Sequence, residues 1–162
     1  MSSTLSIVPQ DDPAKVSASA ALGQTGETLA AEFLTKQGYR LVISNFKVPV
    51  GRNSKGVQVT GEIDIVALDG STLCFIEVKT RRSDEFTPVL SNVNLRKQRQ
   101  ITRTAKVYRR IFGVTETPYR FDVVTVLIPR AAEPVIELVR GYWNDSKFRK
   151  RNWDREIWHD FV

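Results

Sequence analysis

One cysteine, one histidine and the absence of any long apolar run each close off a class of function. Cys74 alone can form no internal disulfide, which suits a reducing cytoplasm, and its expected place on the core face of a hairpin makes it a structural thiol. His159 lies in the terminal stretch, so neither a Ser-His-Asp triad in the body of the chain nor a histidine-rich metal centre is expected. No apolar stretch approaches the roughly 20 residues of a membrane span, and the N-terminal residues lack the apolar core of a secretory signal. Acids are missing too, from the whole interval between Asn92 and Gly113.

What is present is one domain's worth of sequence with a basic balance. The 162 residues are 41% hydrophobic, enough for a substantial core, and carry a formal charge of +6 with an isoelectric point near 9.7. Such a balance points to a polyanionic partner, bound more weakly as salt rises because each neutralised phosphate releases counterions.

The densest signal is GEIDIVALDGSTLCFIEVKTRR over residues 61–82. Alternation of side chains predicts a β-hairpin with Ile63, Ile65, Ala67, Cys74, Ile76 and Val78 on a core face and Asp64, Glu77 and Lys79 on the other. If Asp69-Gly70 forms a two-residue turn, Leu68 faces Ser71, Phe75 faces Asp64, and Glu77 is the diagonal neighbour of Asp64. A four-residue loop would instead set Asp64 directly opposite Glu77, and a three-residue loop would separate the two acids onto different faces. The plain alternative is an exposed hairpin with charges paired across its strands. Against it, Val66, Leu68, Leu73 and Phe75 make the second face apolar near the turn, so acids at its far end need a partner.

Two amphipathic stretches flank the hairpin. Residues 22–38 have helical periodicity and end on a capping glycine, Gly38. Glu27 falls on the apolar side of this helix, near Ala30, Ala31 and Leu34, whereas Glu32 points to water. Glu27 is either a first-turn acid favoured by the helix dipole or a carboxylate aimed at the hairpin. Residues 92–112 place Ile101, Ala105, Tyr108 and Phe112 on one face and Arg96, Arg99, Arg103, Lys106 and Arg110 on the other, a one-sign stripe suited to a phosphate backbone. Lys97 lies on the apolar side and can reach toward the hairpin.

These pieces, GETLAAEFLTKQGYRLVISNFK (26–47), GEIDIVALDG (61–70), CFIEVKTRR (74–82), the helix around Lys97 to Tyr108 and RFDVVTV (120–126), resemble the YraN-like bacterial family within the PD-(D/E)XK nuclease superfamily, related to archaeal Holliday-junction resolvases. The resemblance implies an α/β, restriction-endonuclease-like mixed sheet flanked by helices, with an αβββαβ core. It implies a Mg²⁺- or Mn²⁺-dependent endonuclease acting on DNA, branched DNA included, with Asp64 and Glu77 as metal ligands, Lys79 as the catalytic lysine and Glu27 as the helix carboxylate. Mg²⁺ takes hard oxygen ligands and keeps several waters, so two carboxylates, joined by a strand carbonyl near Val78, would leave room for a phosphate oxygen. A lysine between acids stays charged, which favours orienting water and stabilising charge over acting as a base. Arg81, Arg96, Lys97, Arg99, Arg103, Lys106 and Arg110 are the candidate nucleic-acid contacts. Junction resolution by paired cuts would call for a homodimer. The alternatives are a non-catalytic nucleic-acid-binding protein on the same fold and a partner-binding assembly subunit.

The remaining sequence organises simply. Residues 1–18, rich in Ser, Ala, Asp and Pro, read as a flexible arm before a domain at 19–140. A strand near residues 39–50 and a polar loop at 51–56 with Arg52 and Lys55 lead to the hairpin; that loop is longer than the family pattern suggests. Residues 83–90 read as a loop, and strands are expected at 119–128 and 134–140. A strand, helix, strand order implies a crossover and a mixed sheet. Asp122 reads as a strand-end acid. The extension 141–162 combines Trp143, Trp153 and Trp158 with Lys147, Arg149, Lys150 and Arg151, tryptophans better spaced to dock on the core than to stack on bases.

Overall fold

In the computed structural model, residues 13–82 and 93–148 are described. Helix α1 (Pro13–Lys36) is followed by strands β1 (Arg40–Arg52), β2 (Gln58–Asp69) and β3 (Thr72–Arg82), helix α2 (Leu95–Ile111), then β4 (Tyr119–Ile128) and β5 (Val135–Trp143), with a short 3-10 turn at Asp145–Phe148. The five strands form one open sheet in the order β1-β2-β3-β4-β5. Only β3 and β4 run parallel, because α2 carries the chain back across the sheet between them. This is the restriction-endonuclease-like α/β arrangement expected from the motifs.

The helices cover opposite faces, and the strands' alternation supplies a core to each. On the α1 side Ala30 and Leu34 pack with Ile65, Ala67, Cys74, Ile76, Val78, Val124 and Val126. On the α2 side Ile101, Ala105 and Tyr108 pack with Phe46, Val66, Leu73, Phe75, Phe121 and Val123. The thiol of Cys74 is fully buried on the α1 face, and desolvation pushes its pKa up to about 12, which leaves it an inert structural group. Phe112 lies beyond the end of α2 and is half exposed rather than buried, although its ring still meets Tyr108 and Phe46.

Three sequence expectations need correction. First, α1 begins at Pro13, so residues 13–18 belong to a helix and not to a flexible arm. Second, Leu68 faces Leu73 and Asp69 faces Thr72, so the turn residues are Gly70 and Ser71. Gly70 sits at the first central position with φ +59°, while Ser71 is not left-handed, which is the sign pattern of a type II′ hairpin. The register is the one anticipated for a four-residue loop. Third, Ile63 joins the α2-side cluster and leaves the Ile65/Ala67 face. Pairing of β2 with β3 stops at Ile65–Ile76, while β2 continues alongside β1, and freed of one neighbour the strand twists.

Asp122 also departs from expectation. It is fully buried inside β4 and accepts hydrogen bonds from Arg120 Nε at 2.7 Å and the Gly141 amide at 2.9 Å, tying β4 to β5. Its role is an anchor. Residues 83–92, the basic residues 149–151, Trp153, Trp158 and His159 lie outside the described residues, while Trp143 stacks on Phe121 at 4.7 Å from the end of strand β5 and not from a terminal helix.

Candidate active site

The site forms where β2 and β3 separate. Past Ile65–Ile76 the next residues on the two strands are Asp64 and Glu77, and the Asp64 carboxylate inserts between them, accepting the Val78 amide on Oδ2 at 2.8 Å. A gap in the ladder thus becomes a seat for a buried acid. Asp64 is 9% exposed and Glu77 3%. Burial, and then the charge of Glu77, push the Asp64 carboxyl up from its ordinary 3.8 to about 8, against the opposing Val78 hydrogen bond.

Two lysines converge on the same carboxylate. Lys79 Nζ lies 2.9 Å from Glu77 Oε1, and Lys97 Nζ, from the first turn of α2, lies 3.6 Å from it. Lys97 is delivered by its helix: Asn94 caps α2 by accepting the Lys97 amide, and Ile101 and Tyr108 hold that face against the sheet. Both cations approach Oε1, and Glu77 Oε2 is buried without a hydrogen-bond partner among the described residues. An orphaned anionic oxygen is costly in a protein interior.

Glu27 is brought to the site by close packing of α1. A Cβ built on Gly26 would lie 1.8 Å from Thr80 Oγ1, so the helix reaches β3 only because residue 26 has no side chain. Glu27, Gly23 and Ser19 then face Val78, Lys79 and Arg81 across a cleft of about 260 Å³. The Glu27 charge acts on Asp64 from there, adding to the upward push.

Glu27, Asp64, Glu77, Lys79, Arg81 and Lys97 are therefore gathered at one end of the sheet. The basic stripe is not one surface. Arg96, Arg99, Arg103, Lys106 and Arg110 are all exposed, but Arg103 donates to the Val50 carbonyl at 2.7 Å, and Arg99, Arg103 and Lys106 line a second, larger cleft. Arg96 and Arg110 line neither cleft. Arg109, Tyr119 and Phe148 of the second cleft were not singled out by the sequence pattern; the paired arginines 109 and 110 were the one available hint.

Do these residues suit a divalent cation? Among the described residues no three His, Cys, Asp or Glu side chains cluster as a ready-made ligand set. Yet Asp64 and Glu77 offer two hard carboxylates, one with an unpartnered oxygen and the other destabilised by its neighbour's charge, and a cation needing few protein ligands would relieve both. The donor set fits Mg²⁺ or Mn²⁺ and does not fit zinc.

The raised Asp64 pKa carries a stability prediction for protein free of metal. The folded carboxyl keeps its proton to about pH 8, and the unfolded one loses it near 3.8, so its contribution is fully present below 3.8 and is lost as pH rises through about 8. Asp64→Asn, which keeps an oxygen for the Val78 amide, is expected to melt like the parent near pH 4 and to be more stable above pH 8 by at least about 2 kcal/mol. Thermal melts across that range in EDTA would show it; equal melting at both ends would contradict the burial argument.

No described helix is long and apolar enough to cross a membrane. Comparison with known proteins bears on the region that builds the site. The chain is 39% identical over 120 residues to a UPF0102 protein of Renibacterium salmoninarum, covering 74% of this chain and 93% of that one. It is 42% identical over 106 residues to a UPF0102 protein of Chlorobium limicola, covering 65% and 74%. Among solved structures it resembles that titled crystal structure of SSO0001 with a TM-score of 0.38 and 14% identity, over 80% of this chain and 55% of that one, too distant to inform the site. The sequence profile of "Uncharacterised protein family UPF0102", the YraN family, matches residues 26–126, which include Glu27, Asp64, Glu77, Lys79 and Lys97. The chain belongs to this family.

Proposed function

We propose that this protein is a Mg²⁺-dependent endonuclease that hydrolyses phosphodiester bonds in DNA, with branched DNA as its substrate. The observation that carries the reading is the buried Glu77 carboxylate, which holds two lysines on one oxygen and leaves the other without a partner among the described residues, beside a second buried acid. A structural salt bridge has no need of the second acid, which Glu77 itself destabilises.

Asp64 and Glu77 would hold the cation, which when bound supplies a water of lowered pKa and a positive charge for the phosphate. The remaining work falls to the chain. Lys79, fixed 2.9 Å from Glu77 and partly exposed to the cleft, positions the attacking water and offsets negative charge on the phosphate oxygens as the bond order changes. Lys97 approaches from the opposite helix and clamps the same carboxylate, restricting its rotamers. Glu27, across the cleft from Lys79, orients that ammonium or accepts a proton from the water. Arg81 lines the same cleft and meets the scissile phosphate's neighbours. Paired cuts on a four-way junction need two copies of this site, so a homodimer on the junction follows from the reading.

The test is incubation of the full chain with labelled four-way-junction and linear duplex DNA in Mg²⁺, Mn²⁺, Ca²⁺ and EDTA. Cleavage of the junction in Mg²⁺ or Mn²⁺ and not in EDTA is expected, together with a rise in melting temperature on adding Mn²⁺ that Asp64→Asn lacks. Tight, salt-sensitive binding without cleavage in any metal would point to the non-catalytic reading, and absence of DNA binding to the assembly subunit.

A further inference from the structure

A second cleft, of about 710 Å³, lies apart from the candidate active site. It lies on the flank of α2 that faces β4 and the 3-10 turn, and its volume falls in the ordinary range for ligand sites, roughly 300–1,000 Å³. Its walls alternate cations with rings. The Arg109 guanidinium carbon sits 3.8 Å from the centroid of the Tyr119 ring, and that of Arg99 sits 5.5 Å from the Phe148 ring.

The Arg109–Tyr119 stack is held from both sides. Arg109 donates to the Thr115 carbonyl, and its buried Nε has no acceptor among the described residues. The Tyr119 hydroxyl donates to Asp145 Oδ2 at 2.6 Å. Asp145 is the sole carboxylate among the described lining residues, and that hydrogen bond engages it. Exposed Arg99 and Lys106 stand at the cleft, far outweighing it in charge. A flat cationic surface backed by an aromatic ring and edged by further cations suits one ligand chemistry above others: a planar base attached to a phosphodiester chain. A base in a duplex is already stacked and paired, so the cleft can take only one that is free.

We infer that this cleft binds an unpaired nucleotide of a single strand, DNA or RNA, stacking its base on the Arg109 guanidinium that Tyr119 backs, while Arg99 and Lys106 hold the adjoining phosphates. The inference deepens the nuclease reading and rests on it for context: it assigns the preference for branched substrates to recognition of an unpaired arm or displaced strand, at a place distinct from the site of hydrolysis.

Fluorescence anisotropy in EDTA, with labelled short oligo(dT), oligo(rU) and a blunt duplex of equal length, tests it without any cutting. The double substitution Arg99→Gln and Lys106→Gln, at exposed positions that leave the fold intact, is expected to weaken single-strand binding about tenfold or more and to flatten its salt dependence. Tyr119→Leu is expected to weaken it about tenfold and to leave duplex binding within about twofold. A stronger response for dT or for rU identifies which strand is taken, and either supports the inference. Single-strand affinity unchanged in both variants overturns it; so does an equal loss of duplex affinity, or competition by inorganic polyphosphate as effective as by oligo(dT), since both mark a general cationic surface. The two readings fail separately. Junction cleavage that persists when single-strand binding does not depend on these residues removes only this inference. Binding that behaves as expected in a protein that cuts nothing removes only the nuclease reading.

Discussion

Glu77→Gln is expected to lower metal-dependent cleavage by on the order of a thousandfold or more, about 4 kcal/mol in the barrier, and to leave DNA affinity in EDTA nearly unchanged. The substitution keeps the side chain's shape and removes the charge that Lys79 and Lys97 share. Three losses follow together: the cation loses one of two carboxylates, Lys79 loses the contact that aims it, and Lys97 loses its carboxylate partner. The protein should also become less stable, because two partly buried ammonium groups lose their counter-charge. Asp64→Asn is expected to be just as inactive and yet more stable, since it removes the acid whose ionised form the fold opposes. Opposite shifts in melting temperature from two equally inactive variants are the signature of this pair. If both variants melted alike, or either kept more than about a tenth of the parent's rate, the assignment of a shared cation to the two acids would fail. Single-turnover cleavage and thermal melts in EDTA supply both readouts.

The second large effect concerns Gly26. Alanine at an exposed helical glycine ordinarily helps by up to about 1 kcal/mol, but here even a Cβ would sit 1.8 Å from Thr80 Oγ1 and 2.8 Å from Thr80 Cβ. Relief cannot come from rotating a flexible tip, because Thr80 Cβ belongs to the rigid base of a strand residue. Gly26→Val is therefore expected to cost about 3 kcal/mol by overpacking, a fall of roughly 6–12 °C in Tm for a domain of this size. Gly23→Val is the control for stability alone, since a Cβ there meets nothing within 4 Å but the position lines the cleft. Glu27 and the cleft facing Lys79 depend on the same contact, so activity in Gly26→Val should fall further than the loss of folded protein explains. Melts of the two variants, with rates normalised to folded protein, separate the effects.

Much of the architecture was legible because it rests on local periodicity. The alternation in residues 61–82 and 119–128 and the helical stripe around Ile101 and Tyr108 reflect packing faces that single residues report directly. Lys97 was placed inward by the same rule, and its 3.6 Å contact with Glu77 follows from it. The hairpin register was not settled by pattern, since Asp69-Gly70 and Gly70-Ser71 are both plausible turns. What decided it was the left-handed conformation of Gly70 at the first central position. Ile63 was misplaced because alternation presumes continuous pairing, and β2 loses β3 as a neighbour just there. The anchoring of Asp122 by the Gly141 amide joins β4 to β5, and the Arg109–Tyr119 stack joins the end of α2 to the start of β4; neither shows in the periodicity of a single element. The early part of α1 lacked the apolar spacing that marks a helix, since residues 13–21 are mostly alanine and serine and the larger apolar side chains begin at Leu22.

The parallel pairing of β3 with β4 has a kinetic consequence for the site. Asp64 and Glu77 belong to one hairpin, whose contacts are short in sequence and close on the microsecond scale. Lys97 arrives only when α2 has formed and the crossover has brought β4 alongside β3, a step slowed by loop closure over a long stretch of chain. An early hairpin therefore holds its two acids with only the cations of its own strands, Lys79 and Arg81 among them, and gains Lys97 once α2 packs. The cationic half of the site is thus completed by an element later in the chain than the hairpin, and a form in which α2 is not packed on the sheet lacks Lys97.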